Sequence, residues 1–472
     1  MNKKVTTVAL MGLMAVTSMA SASVSRWGGF GLSNTFIADV QDTWTLPTAL
    51  LDNGDSLFVE LGTIAAYAAG PNNNTGATWG GVNFALLGGQ VGLWTGRGVG
   101  QSINSPGRNA ATVSNVGGRL AVGAVAGFAG VPGALSGMAG YVAPVAFSGI
   151  TSDIDLLYGM SVNDNTQLAI GINKSSGTGN SQGTLVANST RTETKTTQNA
   201  SGFGVSLGLG MSEVGPLSGL WAGVAWQGNN WLSQVETGGA VANGANKEDL
   251  KDTRSTSDIN LRVAGEIAGD DNMSQLFDVN VQIESSEDKR DLSGDVNGNG
   301  SYDAGENWTQ KITNSAMDIA LGWAMSGSSE AGMGLAGLIL NFGNTSDKQE
   351  QTSTATGANT PKTEVTSSNI GLQWVAGAEV KAKEYLSLRA GISGDIFGTN
   401  STVSKNDTDT AGVPVDERKT DGHVPGGATA SMGFSVPMGA FVFDAVLNQD
   451  FLYSGPFFIS GVAEGLGTSV SL

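Results

Sequence analysis

The chain has no cysteine, so disulfides and thiolate metal or redox sites are excluded. It has one histidine, His423, in a polar stretch with no neighbouring pattern of nucleophile and acid. Lysine and arginine number 24 against 42 acids, a formal charge of −18. That balance excludes nucleic acid as a partner, because phosphate contacts need Lys and Arg. Beyond the N-terminus no run of about 18 apolar residues occurs, so no membrane-crossing helix is expected. Gly96-Arg97-Gly98-Val99-Gly100 lacks a surrounding βαβ pattern and is no dinucleotide fingerprint. With enzyme motifs missing, no enzymatic activity is expected.

What the chain has begins with an export signal. Lys3 and Lys4 precede a short apolar run over residues 5–16, and Ala20-Ser21-Ala22 is a small-x-small cleavage pattern. Residues 1–22 therefore read as a secretory signal peptide. Its removal takes two lysines and no acid, leaving −20. Residues 23–54 lack sustained alternation and read as a folded N-terminal segment, partly helical around Pro47.

From residue 55 the pattern changes to period two. In residues 277–284, Phe277, Val279, Val281 and Ile283 alternate with Asp278, Asn280, Gln282 and Glu284. Side chains on a strand alternate between faces, so each such segment has one apolar and one polar face. Residues 154–162, 203–211 and 317–325 repeat the pattern, and residues 118–128 form a Gly/Ala/Val strand. An apparent phase slip near Gly337 reads as a bulge. Short turns such as Asn163-Asp164-Asn165 alternate with polar stretches over 175–201, 237–256, 285–307, 344–368 and 399–426, which read as loops.

Lipid leaves no backbone group unpaired, so a membrane-crossing sheet has to close on itself. The expected fold is all-β: a transmembrane antiparallel β-barrel over residues 55–472 with about 14 strands, within about 12 to 18. Short turns face the periplasm and long loops the exterior. The expected location is the bacterial outer membrane. The expected partners are outer-membrane lipid, the barrel-assembly machinery and small solutes or ions, with a homo-oligomer left open.

If the apolar face meets lipid, the other lines a pore. Its ionisable members are Glu60, Asp155, Asp258, Arg262, Glu266, Asp278, Glu284, Asp318, Glu379, Arg389 and Asp444. Acids outnumber the two arginines, and a carboxylate-lined passage concentrates cations. The same acids also serve simply to solvate the interior and pair with the arginines. Trp79, Trp94, Tyr158, Trp221, Trp226, Trp323 and Trp374 read as interfacial girdles or as ordinary packing.

The sharpest local motif is residues 295–306. Asp295, Asn297, Asn299, Ser301, Asp303 and Glu306 stand at positions 1, 3, 5, 7, 9 and 12 of a calcium loop, with Gly300 at the sharp turn. The loop resembles EF-hand and dockerin-type loops without the flanking helices, which implies structural Ca²⁺.

The whole pattern resembles bacterial outer-membrane barrels of the porin type. Gly467, Val470 and Leu472 resemble their C-terminal assembly signal, although Leu replaces the usual Phe. Phe36-Ile37-Ala38-Asp39 with Leu46-Pro47-Thr48-Ala49-Leu50 resembles the opening of long-chain fatty acid transporter-type barrels. That likeness implies a lumen hatch in residues 23–54. Leu46 and Thr48 stand where that family has Asn and Ala. Three functions follow: a cation-preferring diffusion channel for small hydrophilic solutes, a hatch-plugged transporter of hydrophobic solutes, and a non-conducting structural or adhesion barrel.

Overall fold

The computed structural model describes residues 36, 43–52, 54–61, 79–95, 150–187, 190–240, 247–269, 272–294, 307–353, 361–408, 416–423, 428–438, 441–447 and 463–471. They form one antiparallel sheet of seventeen strands. The first are β1 (Ser56–Leu61), β2 (Trp79–Leu86), β3 (Gly89–Thr95), β4 (Ile150–Asn163), β5 (Thr166–Ala187) and β6 (Thr190–Val214). Next come β7 (Leu217–Ala240), β8 (Lys247–Ala268), β9 (Met273–Gly294), β10 (Asn307–Ser329), β11 (Gly332–Ser353) and β12 (Pro361–Lys383). The last are β13 (Leu386–Thr408), β14 (Asp416–His423), β15 (Ala428–Met438), β16 (Phe441–Leu447) and β17 (Ala463–Ser471).

Neighbours in sequence pair with each other, and β1 pairs with β2 on one side and β17 on the other. The order of pairing is therefore circular. β14 and β15 share one place, pairing with the upper and lower halves of β13, so seventeen strands fill sixteen positions. An even number within the expected span results. Residues 118–128 lie outside the described residues.

Polarity is inverted relative to a water-soluble protein. Leu207, Ile154, Leu156 and Phe203 are about half exposed, whereas Asp155, Arg389 and Asp444 are fully buried. Water would penalise each exposed aliphatic side chain by about 1.5–3 kcal/mol relative to burial. Lipid removes that penalty, so the apolar belt is the surface of a transmembrane barrel.

The turns sort by length. β2–β3, β4–β5, β6–β7, β8–β9, β10–β11, β12–β13 and β15–β16 join through short connections at one end, where Ser56 also pairs with Ser471. At that end Leu87 and Asn272 take positive φ within their turns.

At the other end the structure corrects the loop boundaries. β5 runs on to Ala187 and β6 begins at Thr190, so most of residues 175–201 is paired strand. The same holds for most of 237–256, 344–368 and 399–426. Strands of 22 to 25 residues far exceed the roughly 9–11 that lipid requires. Above the belt both faces meet polar surroundings, so alternation disappears while the backbone ladder continues.

The bulge expected near Gly337 is also corrected. β11 pairs with β10 and β12 without a shift. The pattern slips because Leu335 and Ile339 are apolar although they face inward, where they pack with Ala320, Ala324 and Val375. A true register shift lies between Leu372 and Gln373, opposite Ile396.

Candidate functional site

The inner wall carries the polar residues that the alternation selected. Asp155, Asp258, Arg262, Glu266, Asp278, Arg389 and Asp444 are buried, and Glu284, Asp318 and Glu379 are half-buried. Glu60 sits on β1 between Gly467 and Trp79. These residues form separate groups. Arg389 Nε donates to Glu379 at 2.7 Å, and its Nη1 to Asp444 at 2.6 Å. Arg262 Nε donates to Asp278 at 2.7 Å. Asp258 and Glu284 are register partners on β8 and β9, and Asp318 stands opposite Gln282. Asp155 lies apart and accepts from Asn173. Both arginines are neutralised by acids, so the remaining inner carboxylates leave this wall negative.

The segment before β1 lies against the same wall. Residues 43–50 are all buried, and Pro47–Asp52 form a short 3-10 helix. Proline suits the first helical position, since its fixed φ is already helical and its missing N–H has no partner to lose. Ala49 N then donates to Leu46 O at 2.9 Å.

Five successive strands present glycine to this segment. A Cβ at Gly92 of β3 would lie 3.0 Å from Leu50 Cδ1, and one at Gly159 of β4 3.1 Å from Leu51 Cγ. At Gly171 of β5 it would lie 3.2 Å from Trp44 Cζ3, and at Gly208 of β6 2.8 Å from Pro47 Cδ. At Gly223 of β7 it would overlap the Thr45 carbonyl oxygen. Missing side chains thus make a groove the width of one peptide segment. Arg262 Nη1 closes it, donating to Thr45 Oγ1 at 3.4 Å. Farther back, Phe36 packs on Ala320, Ala324, Leu335, Ile339 and Val375. Phe36 thus lies on the wall of β10–β12, and Trp44 to Leu51 on that of β3–β7.

Alternation had not selected Trp44, Thr45, Leu50 or the five glycines. Their signal was glycine recurring at inward positions, which alternation treats as neutral.

The aromatic residues divide. Trp226 is on the outer wall, its Nε1 donating to Ser257 Oγ at 3.0 Å. Trp323 is also outward, 46% exposed. Trp94 corrects the girdle reading: it is buried inside, edge-on to Phe58 at 5.3 Å and bonded to Asn83. Trp221 also faces inward, over Gly219.

The calcium-loop residues Asp295, Asn297, Asn299, Ser301, Asp303 and Glu306 lie outside the described residues, as do residues 1–22. Among the described residues no group of three or more His, Cys, Asp or Glu is placed to hold a metal ion.

Fold and wall polarity together define an outer-membrane β-barrel. No protein-family model and no curated protein matches the chain. Among solved structures it is similar to the ferric yersiniabactin uptake receptor FyuA from Yersinia pestis. That likeness has 7% identity and a TM-score of 0.34, over 89% of this chain and 80% of that one. A FadL homologue from Pseudomonas aeruginosa aligns at 10% identity and TM-score 0.34, over 96% and 98%. The outer membrane protease OmpT from Escherichia coli aligns at 11% and 0.23, over 66% and 98%. At these scores no functional property passes from those proteins to this chain.

Proposed function

We propose that the protein is an outer-membrane transport barrel closed by its own N-terminal segment, with residues 43–52 as the hatch. The observation that carries this reading is the glycine groove: β3 to β7 give up side chains where the segment lies. Arg262, held by Asp278, is the latch, because its guanidinium also reaches Thr45. Once the hatch is out of its groove, the acid-rich wall behind it favours cations over anions.

Planar-bilayer recording tests both parts. The full chain gives little steady conductance, and deletion of residues 43–52 gives a large one that prefers potassium to chloride. Equal conductance in the two forms removes the hatch. A chloride preference in the deletion removes the acidic-passage reading.

Calcium ordering of the loop over residues 295–306 stands as a second proposal. It is carried by the fit of Asp295, Asn297, Asn299, Ser301, Asp303 and Glu306 to the twelve-position ligand pattern.

A further inference from the structure

On the loop side of the hatch, the inner wall of β7 to β10 gathers acceptors that no described cation answers. Asp258 of β8 and Glu284 of β9 stand directly opposite each other in register. Like charges opposed on neighbouring strands are destabilising. Asp258 is buried and Glu284 half-buried, and among the described residues neither has a basic partner. Asp318 of β10 stands on the diagonal from Glu284, opposite Gln282. Arg262, farther down β8, is already committed to Asp278 and Thr45. An independent feature lies beside the acids. Gln227 of β7 is the register partner of Asp258 and only 2% exposed. Its Nε2 donates to Asn229 Oδ1 at 3.2 Å, while its buried Oε1 has no hydrogen-bond partner. A buried acceptor left without a donor costs stability.

The neighbouring amides sharpen the chemistry, because their donors are turned to the protein itself. Asn229 Nδ2 donates to Thr256 Oγ1 at 3.2 Å, Asn260 Nδ2 to Asn280 Oδ1 at 2.8 Å, and Gln282 Nε2 to Glu284. The wall therefore offers carboxylate and carbonyl oxygens, and its ligand has to supply both positive charge and N–H donors. A neutral polyol would leave the opposed acids uncompensated. A hard metal ion such as calcium wants a tight shell of about six to eight oxygens. Among the described residues no group of three or more acids is placed to form one. A primary ammonium asks for less: it brings one charge and three directed donors. Its bonds to carboxylates belong to the strong, charge-assisted kind. The three carboxylates exceed the charge of one ammonium, so a diamine fits this wall better than a monoamine.

We propose that this wall binds small organic ammonium ions, diamines foremost, through Asp258, Glu284 and Asp318, with the Gln227 carbonyl as an N–H acceptor. The site rests on the acid-rich wall of the proposed function and names its class of cation, and it does not require the hatch to move. The test titrates the full chain in nanodiscs by calorimetry with 1,4-diaminobutane and with its permethylated analogue, which has the same charge and no N–H. The diamine binds more tightly than the analogue by about tenfold. Glu284→Gln, which keeps the side-chain shape, lowers the diamine's affinity by about tenfold. Gln227→Leu lowers the diamine's affinity and leaves the analogue's unchanged. Heat-modified migration on detergent gels checks that both variants fold, and the comparison of the two ligands on the wild-type chain needs neither. Equal affinity for diamine and analogue means that charge alone is read and overturns the site. So does an absence of diamine heat, and so do folded variants that both keep the wild-type affinity. Binding is read at equilibrium in the full chain, so a chloride preference in the hatch deletion removes the passage and leaves the diamine result standing.

Discussion

Arg389 is held on the inner wall between two acids that the chain places 10 and 55 residues away. Alternation identifies Arg389 as an inward exception among acids, but it cannot say which acids are its neighbours. Register supplies that: Glu379 lies directly opposite on β12, and Asp444 is reached across β15. Arg389→Met leaves buried Asp444 and half-buried Glu379 without their cation, which costs about 3–5 kcal/mol. The expected result is a lower temperature of barrel unfolding, read by heat-modified migration on detergent gels. Arg262 differs because its second bond crosses to Thr45. Arg262→Gln therefore loosens closure as well as leaving buried Asp278 without its cation, and brief conducting openings of the full chain report the first effect. Gly223→Val acts from the other side: its Cβ occupies the position of the Thr45 carbonyl and unseats the segment. Conductance close to that of the hatch deletion is expected, and a closed Gly223→Val channel would count against the groove.

The long hairpins show where sequence reading stops. Phe277 to Ile283 announced a strand because one face met lipid and the other did not. Lys348 to Ser353 announced nothing, since both faces are polar, yet they pair residue by residue with β10. Ion pairs along and across the strands substitute for burial there. Glu350 receives Lys348 at 2.8 Å and Lys362 at 3.0 Å. Hydrogen bonds from these two lysines push its carboxyl down to about 2. A depressed carboxyl stabilises the folded hairpin above its unfolded value of 4.5, and the contribution fades as pH falls through about 2. The group is exposed, so the effect is small and local. With the ratio to Glu350→Gln taken at each pH to cancel the protease's own pH dependence, pepsin should cut the wild-type β11–β12 hairpin more slowly than the variant near pH 5, and the two should converge near pH 2.

At the scale of the molecule, architecture was readable and its interior was not. Inverted alternation is enough for a barrel, because lipid imposes it on every strand that crosses. The apolar inner patch of Leu335, Ile339 and Val375 imitated a phase slip, since alternation assumes a wet interior. The N-terminal segment was suggested by Pro47 and its neighbours, but its seat required five strands to be placed side by side. The loop over residues 295–306 joins β9 to β10 at the far end of the barrel from the short turns. Calorimetry should register calcium heat in the wild-type chain and lose it in Asp295→Ala with Glu306→Ala; unchanged heat would remove the site.

The tall hairpins have a consequence for how this wall can change over time. Above the belt the outward side chains meet neither lipid nor a packed core, so substitutions there meet less resistance than at the buried Asp288, Arg290 and Gln310 or at paired Glu350. The groove is the opposite, since a single methyl group at Gly208 or Gly223 collides with the segment inside. Kin of this protein should therefore be recognised by spaced glycines facing a Trp-Thr-Leu-Pro segment, while the parts they show to the outside world have little in common.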